Sequence, residues 1–142
     1  MPHPLIALPL LLLAAPPVPA AELEVRIERV RSGKGVLHLC LTRSAAHFPD
    51  CSSDPDAVKR TVAAAQGGAV RFTGIPPGGW ALSVFHDENR NEKLDTLVGI
   101  PREGFGFSRN PTIRFGAPKF RQVRVDLGPG ITRQTVRMQY LL

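Results

Sequence analysis

Asp87, Asn89, Asn91 and Asp95 stand at positions one, three, five and nine of a pattern that can wrap a hard cation. Calcium takes six to eight oxygen ligands at about 2.3–2.6 Å, and side-chain oxygens two residues apart converge when the chain turns around the ion. The carbonyl of Lys93 falls at position seven, and Leu94 at position eight matches the apolar residue that anchors such loops to a core. Two positions depart from the pattern. Glu92 occupies position six, where glycine normally supplies a left-handed backbone, and Val98 occupies position twelve, where a bidentate carboxylate belongs. The spacing therefore predicts a weak calcium site at Asp87, Asn89, Asn91, Lys93 and Asp95, with Glu103 a candidate donor from outside the loop. Calcium is the one cofactor the sequence points to. The same residues also suit a polar β-turn in which Asp and Asn bond their own backbone.

Around this loop the other reactive side chains are scattered. His86 and Asp87 are neighbours on a strand-like run, so their side chains point to opposite faces and do not form an acid–base pair. Ser108 lacks the Gly-x-Ser-x-Gly elbow of a nucleophile, and neither a His-Glu-x-x-His motif nor a phosphate-cradling glycine loop is present. The reading is non-enzymatic. Its alternative is a small envelope hydrolase or metal-dependent enzyme using His86, or His38, with nearby carboxylates. Phe105, Phe107, Phe115 and Phe120 alternate with Arg102, Arg109, Arg114, Lys119 and Arg121. With His86, Glu103 and Ser108 they are a candidate binding face for a glycan, a lipid or a protein of the envelope. The other reading is a loop pinned to the core by its phenylalanines while its arginines face water.

The positioning elements must come from an exported chain. Residues 1–20 have the apolar run and small residues of a secretory signal peptide, leaving residues 21–142 as one domain. The run is too short and too broken by proline to span a bilayer, so no transmembrane segment is expected after cleavage. The expected location is the periplasm or the medium. Cys40 and Cys51, with ten residues between them, are then expected to form a disulfide. The net charge of +6 favours acidic envelope partners over nucleic acid, which an exported protein does not meet.

From Glu22 the chain alternates polar and apolar residues, and Val36–Thr42 repeats the pattern with Leu37, Leu39 and Leu41 on one face. The two read as strands of a hairpin. Residues 57–65 are alanine-rich and suit either helix or strand. Further strands are expected at 69–73, 80–85, 122–127 and 131–140, separated by Gly/Pro turns. Residues 97–120 show no period and are expected to form a long ordered loop. Six or seven short strands of this kind predict an all-β, antiparallel β-sandwich.

The runs Val84–Asn89, Lys93–Asp95, Gly99–Pro101, Glu103–Ser108 and Phe115–Gly116 resemble a family of small exported bacterial proteins grouped as a domain of unknown function (DUF2141). The resemblance covers most of the chain after the leader and is most specific over residues 84–120. It implies a transthyretin-like or immunoglobulin-like sandwich and no particular activity. Glu92 and Arg109 depart from the family pattern, which has Gly and Asn at those places.

Overall fold

A computed structural model describes residue 1, residues 11–66 and residues 68–142. Residues 2–10, which hold half of the expected leader, lie outside the described residues. Residues 11–20 carry no regular structure and are exposed, and the first strand opens at Ala21, which is 1% exposed.

Among the described residues ten strands form, where six or seven were expected: β1 (Ala21–Glu28), β2 (Val36–Thr42), β3 (Val58–Ala63), β4 (Ala69–Ile75), β5 (Gly78–Asp87), β6 (Thr96–Leu97), β7 (Ile100–Pro101), β8 (Phe105–Phe107), β9 (Val125–Leu127) and β10 (Gly130–Arg137). The extra strands come from residues 96–107, too short and too glycine-rich to show alternation. A single helical turn, α1 (Phe120–Val123), takes up the start of the segment expected to be a strand. The alanine-rich segment resolves as β3 followed by a 3-10 turn at Ala64–Gln66. Six cross-strand pairings to β2 override the helical preference of its alanines.

One sheet has the order β10-β1-β4, a second β3-β2-β5-β8 with β9 on the start of β5, and β6-β7 is a separate hairpin. The expected β1–β2 hairpin does not form. β1 pairs with β4 and β10, while β2 pairs with β3 and β5, so residues 29–35 carry the chain from one sheet to the other. The expectation of purely antiparallel pairing also fails at β1–β10, which is parallel. Alternation tells a strand which face to bury, not which strand to sit beside.

The faces themselves follow the sequence. Leu23, Val25 and Ile27 of β1, Leu37, Leu39 and Leu41 of β2, and Leu82 and Val84 of β5 enter one buried cluster with Phe72 and Trp80. Full burial of such a side chain stabilises the fold by about 1.5–3 kcal/mol. A second cluster, Ala81, Phe105, Phe107 and Val123, is packed by Phe48, Ile113 and Phe120. Cys40 and Cys51 are joined as expected, tying the connection after β2 to the middle of that strand.

Gly35 sits where β2 meets the end of β5. Its φ is +66°, and a Cβ there would run into the carbonyl of Asp87 and the Cα of Glu88. Gly128 has nothing within 4 Å of the corresponding point. Gly35→Ala should therefore cost about 2 kcal/mol or more in urea denaturation, and Gly128→Ala about 0.5 kcal/mol or less.

Candidate functional site

β5 ends at the buried pair His86 and Asp87, both 0% exposed. Asp87 points to the β2 side. Its Oδ1 accepts the backbone N–H of Asn91 at 3.0 Å, and its Oδ2 accepts that of Glu92 at 2.8 Å. The ring Nε2 of His38 lies 3.0 Å from the same Oδ2. Burial alone would raise the pKa of this carboxyl, but the His38 ring and the two N–H donors outweigh it, so Asp87 is held below its ordinary value of 3.8. The backbone turns as an ion loop does. Glu92 at position six has φ +62° and Arg90 has φ +59°, so the left-handed conformation is taken without glycine.

The remaining oxygens of the loop gather around Asp95. Its two carboxylate oxygens accept the Asn89 side-chain amide at 2.6 Å and the Asn91 amide at 2.8 Å. Asn89 Oδ1 accepts the backbone N–H of Asn91, and Asn91 Oδ1 that of Lys93. Asn89 and Asn91 are thus joined side chain to side chain with Asp95, while Asp87 reaches the loop through the backbone N–H groups of Asn91 and Glu92. Among the described residues no three His, Cys, Asp or Glu side chains form a metal cluster. Glu103, the candidate donor from outside the loop, is hydrogen-bonded to the backbone of the loop. It is 5% exposed, and its two oxygens accept the backbone N–H groups of Glu88 and Asp95, closing the base of the loop.

His86 faces the other way from Asp87, as adjacency on a strand requires. Its Nδ1 is 2.9 Å from the Tyr140 hydroxyl and its Nε2 2.6 Å from the Lys34 carbonyl. With both nitrogens engaged and no exposed surface, it pins the end of β5. The acid–base role offered to His86 in the enzymatic alternative has no open side to act from. His38, the other histidine named in the enzymatic alternative, is the one that meets a carboxylate. Its Nδ1 lies 3.0 Å from Thr61 Oγ1, and its ring packs against Phe85 with centroids 4.6 Å apart.

The predicted binding face is not assembled as a surface. His86, Glu103, Phe105, Phe107 and Ser108 are all buried. Ser108 Oγ accepts the N–H of Leu82 and donates to the carbonyl of Val123, so it joins strands. Arg102, Arg109 and Phe115 remain on the outside, and Phe115 is 96% exposed. Phe105 and Phe107 are drawn under the loop as large apolar side chains while the arginines need water, and Phe115 is the exception.

Instead, a cleft of about 1390 Å³ opens over the outward face of β3-β2-β5-β8. Strand register lays its floor in two rows, Thr61–His38–Phe85–Phe105 and Lys59–Cys40–Ser83–Phe107. Its walls are Glu92–Leu94 of the loop, Ile100 and Pro101 of β7, residues 113–117, residues 49–52 and the terminal Leu141 and Leu142. The sequence held the alternation that makes this floor, but not the strand order that assembles it. A smaller cavity of about 520 Å³ lies near Arg31, Glu88, Asp95 and Arg102. There the Arg31 guanidinium pairs with Glu88 and donates to the carbonyls of Arg102 and Leu142.

A family described as "Uncharacterized protein conserved in bacteria (DUF2141)" matches residues 25–135. The chain belongs to this family. The DUF2141 match takes in the whole 87–95 loop, the two floor rows and every wall of the cleft but the last two residues. No curated protein and no solved structure matches the chain. Among the described residues no helix is long and apolar enough to cross a membrane.

Because Asp87 is held below its ordinary value, the stability it contributes is present above the unfolded value of 3.8 and is lost as pH falls through the folded one. Glu88 acts in the same direction, lowered chiefly by its bond from Arg31. The melting temperature should therefore hold between neutral pH and about 5 and drop below about 4. Asp87→Asn replaces an acceptor by a donor facing N–H groups. It should cost about 1–3 kcal/mol at neutral pH and flatten the acid limb of the profile, both read by thermal denaturation across pH.

Proposed function

We propose that this protein is an exported, non-enzymatic β-sandwich module of the bacterial envelope, of the transthyretin-like or immunoglobulin-like kind. It binds its ligand in the cleft over the second sheet. The observation that carries the reading is that cleft: an apolar, sheet-floored trough walled by four loop segments and the chain end. Ligand sites are characteristically concave and apolar with few polar groups, and this one exceeds the volume usual for a small molecule. Support for the sandwich comes from the single buried cluster to which both large sheets contribute. Support for export comes from the leader-like first 20 residues and the disulfide.

The 87–95 loop serves as a weak calcium site that braces one wall of the cleft. Asp87 Oδ2 already takes two donors, from Glu92 and His38, but Oδ1 accepts the Asn91 N–H alone and keeps a lone pair for a cation. A half-turn of the Asn89 and Asn91 amides exchanges donors for oxygens facing Asp95. The absence of a carboxylate at Val98 keeps the affinity low.

Two measurements test this. Nile red, a neutral dye that fluoresces in apolar surroundings, should bind the purified protein, and Ser83→Trp, which fills the middle of the floor, should abolish the signal. Ile100→Asp, on an exposed wall, should weaken it without touching the core. Binding that survives both variants would sink the cleft reading. Separately, millimolar calcium should raise the melting temperature relative to chelator, and Asp95→Ala should remove the rise. An identical melting curve in both buffers would return the loop to an ordinary polar turn.

A further inference from the structure

We infer that the ligand of this cleft is a single-chain anionic amphiphile, a long acyl chain ending in a carboxylate. The inference deepens the binding-module reading above and rests on it. The floor changes character across the sheet. At the β3 edge its rows begin with Thr61 and Lys59, and at the β8 edge they end with Phe105 and Phe107. Phe105 and Phe107 are themselves covered, so a molecule lying across the strands meets a cationic, polar end and, further along, the half-buried Phe85 ring.

The floor's polar groups are already committed. Ser83 Oγ donates to the Pro49 carbonyl at 3.2 Å, and His38 holds Asp87 with one nitrogen and Thr61 with the other. A sugar ring brings several hydroxyls, each of which would lose water without gaining a partner here, at a cost that counts against a glycan. A methylene chain brings none. On the walls, Leu94, Ile100, Phe115 and Leu142 are 37%, 44%, 96% and 53% exposed, apolar surface that a chain lying in the trough would remove from water.

The charge fits an anion. Lys59, Arg60, Lys93 and Arg114 line the cleft against Asp50 and Glu92. Asp50 and Glu92 keep their charges, Asp50 within electrostatic reach of Lys59, and Arg60 belongs to the other face, over the Phe72 ring. Lys59, Lys93 and Arg114 are left as the cations of the cleft. Lys59 stands at the polar end of its row, its Nζ 2.9 Å from the Ser52 carbonyl, placed to receive a carboxylate. The excess of positive charge is small, which suits one negative headgroup.

The test uses the purified protein and Nile red displacement. Palmitate should displace the dye, its uncharged counterpart cetyl alcohol should do so about fivefold less effectively, and butyrate should not displace it. Lys59→Glu, an exposed change on an edge strand, should weaken palmitate about fivefold and leave cetyl alcohol unchanged, with circular dichroism confirming the fold. Added salt should weaken palmitate alone. Equal displacement by acid and alcohol, indifferent to Lys59→Glu, would overturn the carboxylate while leaving the cleft a ligand site. Dye bound but displaced by neither would overturn the amphiphile altogether. Failure of the dye itself to bind belongs to the module reading and would remove both.

Discussion

Burying the ionised Asp87 side chain at the end of β5 obliges donors to come to it, because a carboxylate without water or partners is too costly to keep charged. Two come from the backbone of the chain just beyond, at Asn91 and Glu92, and one from His38 on the neighbouring strand. The first two fix the turn of the loop. The third fixes a ring over the outward face of the sheet. One residue earlier, His86 does the equivalent on the inward side, held by Tyr140 and the Lys34 carbonyl. Successive residues thus anchor the strand end to both faces, and Gly35 is needed because nothing larger fits beside the Asp87 carbonyl.

The segment beyond Asp87 is held as a closed unit. Glu103 takes the backbone N–H groups of Glu88 and Asp95, Arg102 donates its own to the Asp95 carbonyl, and His86 donates its own to Gly104. The long connection between β5 and β8 therefore returns to its starting point instead of wandering, and β8 can pair with β5. The wall of the cleft inherits its position from these bonds. Loops set this way would lose little further entropy on binding the proposed ligand, since the ordering was done in folding.

The legible parts of the sequence were those governed by period. Alternation in residues 22–28 and 36–42 announced those strands and the faces they bury, the apolar run 80–85 announced a strand but not which of its faces stays open, and adjacency placed His86 and Asp87 on opposite sides. Partnership was not legible. β1 and β2 looked like a hairpin because they are consecutive and joined by glycines, yet each finds its neighbours far along the chain. The loop was visible from its oxygens, but not that Glu103 would bond its backbone, since one acidic residue among glycines carries no sign of its target. Nor was the meeting of His38 and Asp87 visible, because it depends on a diagonal across a β2–β5 register that pairs Val36 with Asp87 and His38 with Phe85.

The same register explains why an open cleft exists at all. A sheet packed on one side normally turns a polar face to water, and β3 and β2 do so with Lys59, Thr61 and His38. β5 and β8 break the rule by turning Phe85, Phe105 and Phe107 the same way. Phe105 and Phe107 are mostly covered by Phe48, Ile113 and Phe120, but the described helix is a single turn of four residues and reaches only that end. Across the rest of the face the loops stand at the margins and leave the middle open. An apolar half beside a polar half, walled but not roofed, is the surface on which the proposed amphiphile would lie.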